Sequence, residues 1–138
     1  MSAPLSPETR PVRFKQVVIV DLDEAWALVM RDTVARGGFC VVLPASIDEA
    51  VRLIREQVPD LLLVSSLLTD EIRDLLLPEI ELLKSPPPVV LVGLRDTETR
   101  WDAWKSRPFV SVIKQPFRTE DVLKAVKTLL DTPWAELR

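Results

Sequence analysis

The sequence predicts a doubly wound α/β domain with a parallel five-stranded sheet, and three observations lead there. Short apolar runs rich in Val, Ile and Leu recur along the chain, as in strands buried on both faces. Segments of helical period separate them, and Gly, Pro or Ser signals mark the junctions. Strands that alternate with helices pair in parallel, with helices covering both faces of the sheet.

The first run, Gln16 to Val20, ends at Asp21. From Glu24 to Arg36 the pattern is helical, with Leu28, Val29, Thr33 and Val34 expected inward and Gly37-Gly38 as the stop. Phe39 to Leu43 reads as a second strand, in which Cys40 is a small strand hydrophobe. Ser46-Ile47-Asp48-Glu49 has the form of a capping box. The helix after it should turn Ala50, Val51, Leu53, Ile54 and Val58 inward. Asp60 opens a third strand, Leu61 to Val64, which runs into Ser65-Ser66. Pro86-Pro87-Pro88 leads to a fourth, Val89 to Val92.

Between them, Thr69 to Ser85 permits two readings. One is a helix kinked at Pro78. The other, which is the expected one, is an irregular Leu-rich stretch followed by a helix with Pro78 in its first position, where proline is tolerated. Asp96 to Ser106 reads as a fourth helix, Phe109 to Ile113 as a fifth strand, and Thr119 to Leu130 as a closing helix. Thr119 is the expected cap, and Val122, Leu123, Val126, Leu129 and Leu130 recur at core spacing.

Composition narrows the function classes. The 138 residues suffice for one domain. With 47% hydrophobic and 28% charged residues the composition is globular. The 18 basic residues are interspersed among 21 acids for a net charge of −3, so no basic stripe points to nucleic acid. One cysteine cannot form an internal disulfide, and a chain without histidine lacks the usual zinc ligands. The Pro-rich, charged segment from Met1 to Lys15 has no signal-peptide core, and no apolar run is long enough to span a membrane. A cytoplasmic location is expected.

Several local markers occur together: Val20-Asp21 closing the first strand, Gly38-Phe39 before the second, Glu49-Ala50 in the second helix, Pro59-Asp60-Leu61 before the third strand, and Pro116-Phe117 after the fifth. In this order and spacing the chain resembles the receiver domain of two-component response regulators (CheY-like), from Lys15 to about Thr132. The resemblance implies a flavodoxin-like sheet of strand order 2-1-3-4-5 and a cis peptide before Pro116. It divides the chain into a flexible arm over 1–14, a receiver-like domain over 15–132 and an extension over 133–138.

Phosphoryl transfer in that family needs a nucleophilic aspartate, paired acids for Mg²⁺, a hydroxyl and a lysine, because hard oxygen ligands hold the metal and positive groups offset the crowded negative charge. Matched position by position, this chain retains little of that set. Ser65 stands at the nucleophile, Leu22 beside Asp21 in the acid pair, Gly93 at the hydroxyl position, Gln115 at the lysine position and Val112 at the aromatic that toggles with phosphorylation. The resemblance is thus to a degenerate pseudo-receiver, with Asp21, Leu22, Ser65, Gly93 and Gln115 forming a degenerate phosphorylation pocket.

Other residues have plainer roles to set against chemistry. Asp21, Asp23 and Glu24 could hold a divalent ion, but acids at a helix N-terminus also cap it and complement its dipole, which is the expected role. Strand alternation turns Lys114 away from the vacated lysine position. Ser65 lies where a kinase could scarcely reach it. Trp101 and Trp104, three apart on the fourth helix, share a face. One is expected in the core and the other exposed, giving with Val112 an interaction face on the fourth helix, fifth strand and fifth helix, a common partner surface in the family.

The function expected is a phosphorylation-independent protein-protein interaction module of a bacterial signalling or regulatory system, acting through a partner or a homodimer, with no cofactor, metal, nucleic acid or membrane. The alternative is a regulator whose cleft at the strand C-termini takes a small ligand, as the switch point of an open sheet permits. An enzyme ranks last, since no nucleophile and base pair is visible.

Overall fold

A computed structural model describes the backbone of residues 14–136 and the side chains of residues 14–130. Five strands form one parallel sheet in the order β2-β1-β3-β4-β5. They are β1 (Gln16–Val20), β2 (Cys40–Val42), β3 (Leu61–Ser65), β4 (Val89–Leu94) and β5 (Val110–Lys114). The helices are α1 (Glu24–Ala35), α2 (Ile47–Glu56), α3 (Asp70–Glu81), α4 (Asp102–Lys105) and α5 (Thr119–Glu136). Central strands β1, β3 and β4 are almost wholly buried, as their unbroken apolar runs require.

Successive strand residues point to opposite faces, and the two cores follow that alternation. Val18, Val20, Leu62, Val64, Val89 and Leu91 pack with α2, α3 and α4, while Val17, Ile19, Leu61, Leu63, Val90 and Val92 pack with α1 and α5. Asp60 is more than a strand opener, because its carboxylate accepts the backbone N–H of Gln16 and fixes the start of β1 against β3.

Ser46 caps α2 by accepting the N–H of Glu49 at 3.1 Å, and Glu49 reaches back to the N–H of Ala45. Gly38 takes φ +90°, the left-handed turn that ends α1. The peptide between Gln115 and Pro116 is cis.

The structure corrects several expectations. In α1 the buried residues are Ala27, Met30, Thr33 and Val34, whereas Leu28 and Val29 face solvent: the inward stripe lies one step round the helix. Val58 is exposed beyond the end of α2, and Cys40 is exposed on the edge strand. Helix α3 is continuous from Asp70 to Glu81 with Pro78 inside it. It starts early because Thr69 caps it, accepting from Ile72 at 3.3 Å, and because Leu76, Leu77 and Ile80 bury one face across the proline. That burial outweighs the missing amide.

Helix α4 is one turn long rather than spanning Asp96 to Ser106. Trp101 stands at its N-cap with no side-chain acceptor to offer, and residues 95–100 form turns. Thr119 does not cap α5. Its hydroxyl faces Glu120, while Asp121 holds the N–H of Arg118. Helix α5 runs to Glu136, past the expected boundary at 132. Apart from Phe14, the arm expected over 1–14 lies outside the described residues, as do 137–138 of the extension.

Candidate functional site

The carboxyl ends of β1, β3, β4 and β5 bring Asp21, Ser65, Gly93 and Gln115 to one edge of the sheet, beneath the loops that lead into α1, α3, α4 and α5. Ser65, Gly93 and Gln115 line an open cleft of about 710 Å³. Asp21 and Leu22 border a smaller adjoining hollow with Ala45 and Ser46.

Asp21, Ser65 and Gln115 are each engaged in holding a loop. Ser65 is 8% exposed, and its Oγ accepts the N–H of Leu67 at 3.1 Å, closing the turn after β3. Asp21 accepts the N–H of Asp23 at 2.9 Å, and Asp23 accepts that of Trp26 at 3.0 Å as the cap of α1. Burial raises the Asp21 carboxyl above the ordinary aspartate range; the bond from Asp23 N–H opposes this, and the Asp23 charge adds to it. Gln115 Nε2 donates to the Gly93 carbonyl at 2.9 Å, bridging the ends of β4 and β5.

Gly93 sits at φ +97°, where the pairing of β4 with β5 shifts register between Val92 and Leu94. A Cβ there would lie 3.1 Å from Ser66 Oγ and 3.9 Å from Gln115 Nε2. The missing side chain is therefore what opens the middle of the cleft.

Magnesium needs several hard oxygen ligands. Of the matched positions only Asp21 offers a carboxylate, and Leu22 points an apolar group into solvent, 57% exposed. Among the described residues no three acidic, histidine or cysteine side chains gather as a metal site requires. The donor set does not fit the ion.

Trp101 and Trp104 contradict the expectation that one indole is exposed. Both are buried, at 0% and 1%, with ring centroids 5.1 Å apart in an edge-to-face arrangement. A short α4 turns both rings under the loops instead of presenting one outward, so the argument for an indole-bearing interaction face falls. Val112 is half-buried against the same core. Lys114 is exposed and pairs with Asp96 at 3.3 Å.

Arg100 and Trp101 do something that spacing did not suggest. Trp101 Nε1 donates to the Ser66 carbonyl at 3.1 Å. Arg100 donates to the carbonyls of Ser66 and Leu68, at 3.3 and 2.8 Å, and pairs with Asp70 at 2.7 Å. Arg73 then donates to the Arg100 carbonyl at 2.7 Å. The loop after β4 is thereby fastened to the loop after β3 and to the first turn of α3. These partners lie about thirty residues apart in sequence, beyond any helix or strand period. Trp26 and Phe117, the aromatic wall of the cleft, meet edge to face at 5.9 Å; the sequence offered Phe117 only as a family marker and did not single out Trp26.

Solved structures share this architecture. A CheY-like receiver domain protein from Methanospirillum hungatei JF-1 superposes with a TM-score of 0.69 at 21% identity, over 90% of this chain and 99% of that one. A response regulator from Thermotoga maritima gives 0.69 at 21% identity, over 87% and 100%. The fold is that of a receiver domain. A receiver domain protein from Bacillus halodurans C-125 matches at 0.68 and 20% identity, over 84% of this chain and 97% of that one. No protein-family profile and no curated protein matches the sequence significantly. Among the described residues no helix is long and apolar enough to cross a membrane.

Proposed function

We propose that this chain is a phosphorylation-independent protein-protein interaction module of a bacterial signalling or regulatory system, a pseudo-receiver that uses the receiver fold as a fixed surface. One observation carries the reading. The position at the end of β3 that the resemblance matches to the nucleophile is Ser65, a buried hydroxyl already occupied by the Leu67 N–H. A hydroxyl cannot form the acyl phosphate on which the switch depends, and Leu22 and Gln115 supply neither a second acid nor a neutralising cation. The bonds from Arg100 and Trp101 to the loop after β3 support the same reading, since they hold in place a loop that a phosphorylation switch would have to move.

The test is incubation with acetyl phosphate, or with beryllofluoride, in the presence of Mg²⁺. Unchanged amide NMR spectra and no acid-labile phosphate are expected, together with capture of the same cellular partner whether or not a phosphodonor is present. Stoichiometric acid-labile phosphate refutes the reading. A second reading, a regulator whose cleft takes a small molecule, is favoured by the open volume above Gly93.

A further inference from the structure

Two hollows adjoin at the carboxyl ends of β3, β4 and β5. The cleft of about 710 Å³ and a neighbour of about 350 Å³ share Ser66, Leu67, Gly93, Arg95 and Gln115 in their lining. The absent side chain of Gly93 keeps the space between Ser66 and Gln115 open. The larger hollow lies within the size range of ligand pockets, which are mostly apolar with a few placed polar groups.

That hollow has an apolar side. Trp26 and Phe117, both half-buried, form one wall edge to face, and Leu67, which also lines the space, is 71% exposed. An aromatic ring laid against these three would take apolar surface out of water.

The rim carries one uncommitted cation. Arg95 lines both hollows, and among the described residues its guanidinium has neither an ion pair nor a hydrogen-bond acceptor. The other charged groups of the two linings are engaged: Asp96 pairs with Lys114 at 3.3 Å, Glu98 with Arg100 at 3.7 Å, and Asp23 caps α1. Arg100 is held further by Asp70 and by the carbonyls of Ser66 and Leu68. Because Arg95 is exposed, a carboxylate meeting it stays partly in water and avoids the cost of burying a charge. The guanidinium fork matches a carboxylate with two parallel bonds. Among the described lining residues no second cation is free, and Asp23 shares the lining, so a dianion would meet repulsion without compensation.

We infer that the cleft binds a small aromatic monocarboxylate, its ring packed against Trp26, Phe117 and Leu67 and its carboxylate on the Arg95 guanidinium. The inference rests on the second reading above and adds the ligand's chemical class.

Three probes sharing one ring test it: 2-naphthoate, its neutral amide 2-naphthamide, and 2-naphthyl phosphate at a pH where the ester is a dianion. Each is titrated into the whole chain and followed by amide and indole NMR shifts. The naphthoate is expected to bind saturably, with shifts at Gly93, Arg95 and the Trp26 indole, and about three- to tenfold more tightly than the amide or the phosphate, as one charge-assisted pair near the surface allows. Arg95→Gln, at an exposed position, should remove that preference and leave the affinity for the amide unchanged. Leu67→Ala, also exposed, should weaken naphthoate and amide alike. Circular dichroism confirms that each variant is folded. Added salt should weaken the naphthoate and spare the amide, a comparison that needs no variant. Naphthoate binding no tighter than that of the amide, unchanged by Arg95→Gln, or no more sensitive to salt than the amide overturns the class and leaves the second reading standing, as does preference for the phosphate. A Leu67→Ala protein that binds as the parent does overturns the placement of the ring. Saturable binding in the cleft by none of the three overturns both the inference and the second reading.

Discussion

The indole N–H of Trp101 donates to the main-chain carbonyl of Ser66 at 3.1 Å, so a residue at the mouth of α4 holds the loop that leaves β3. Because the same carbonyl also accepts from Arg100, the two loops share a polar anchor beneath a buried pair of indoles.

Truncating either indole should therefore be a core substitution. Trp101→Ala and Trp104→Ala are each expected to lower the free energy of unfolding by about 3 to 5 kcal/mol, read from chemical denaturation. Trp101→Phe keeps a ring and loses the N–H, so it should cost clearly less. A Trp104→Ala protein as stable as the parent would contradict the burial of that ring.

Arg100→Ala should act on mobility more than on stability. Its ion pair with Asp70 is partly exposed, and such pairs contribute roughly 0 to 1 kcal/mol. The backbone bonds to Ser66 and Leu68 restrain the loop, so amide hydrogen exchange at Leu67 to Asp70 should accelerate while the melting temperature changes little. Unaltered exchange there would show that Trp101 alone holds the loop.

Much of the scaffold was legible in the sequence, because strand runs such as Val17 to Val20 and Leu61 to Val64 are apolar on both faces and have few other places to go. Ser65, Gly93 and Gln115 were placed by the family resemblance, and all three line one cleft at the carboxyl ends of the strands. What was illegible depends on partners distant in the chain. Helix α3 survives Pro78 because Leu76, Leu77 and Ile80 bury against the sheet, and α4 shortens because Arg100 and Trp101 are held by the β3 loop. The indoles misled for that reason: helical spacing described their relation to each other but not the loop that covers them.

Asp21→Asn should stabilise the domain near neutral pH. Burial raises the folded carboxyl above its unfolded value, so ionisation costs stability in full above the folded pKa, and that cost is lost progressively as pH falls toward the unfolded value. Asparagine keeps an oxygen for the Asp23 N–H without the charge. The gain in melting temperature is expected to be largest at pH 7 and to shrink toward acid as the parent protonates. A gain that grows toward acid would reverse the sign of the argument.

Pro78→Ala offers a direct measure of what α3 tolerates. An interior proline removes one helical hydrogen bond and crowds the preceding turn, costing about 3 kcal/mol, while the more flexible unfolded chain of the variant gives back roughly 0.4 to 1. A net stabilisation of about 2 to 2.6 kcal/mol is expected by urea denaturation. A loss of stability would mean that the ring itself packs usefully.

The backbone at Gly93 makes the present state hard to leave by single substitutions. A hydroxyl side chain there would have to occupy φ +97° and approach Ser66 Oγ to 3.1 Å, so the main chain would have to turn over before the new group could point usefully. Replacing Ser65 with a carboxylate would keep an acceptor for the Leu67 N–H but would place a charge at a position only 8% exposed. A side chain at 93 or a carboxylate at 65, introduced alone, would thus destabilise the domain before any partner group is present to offset it.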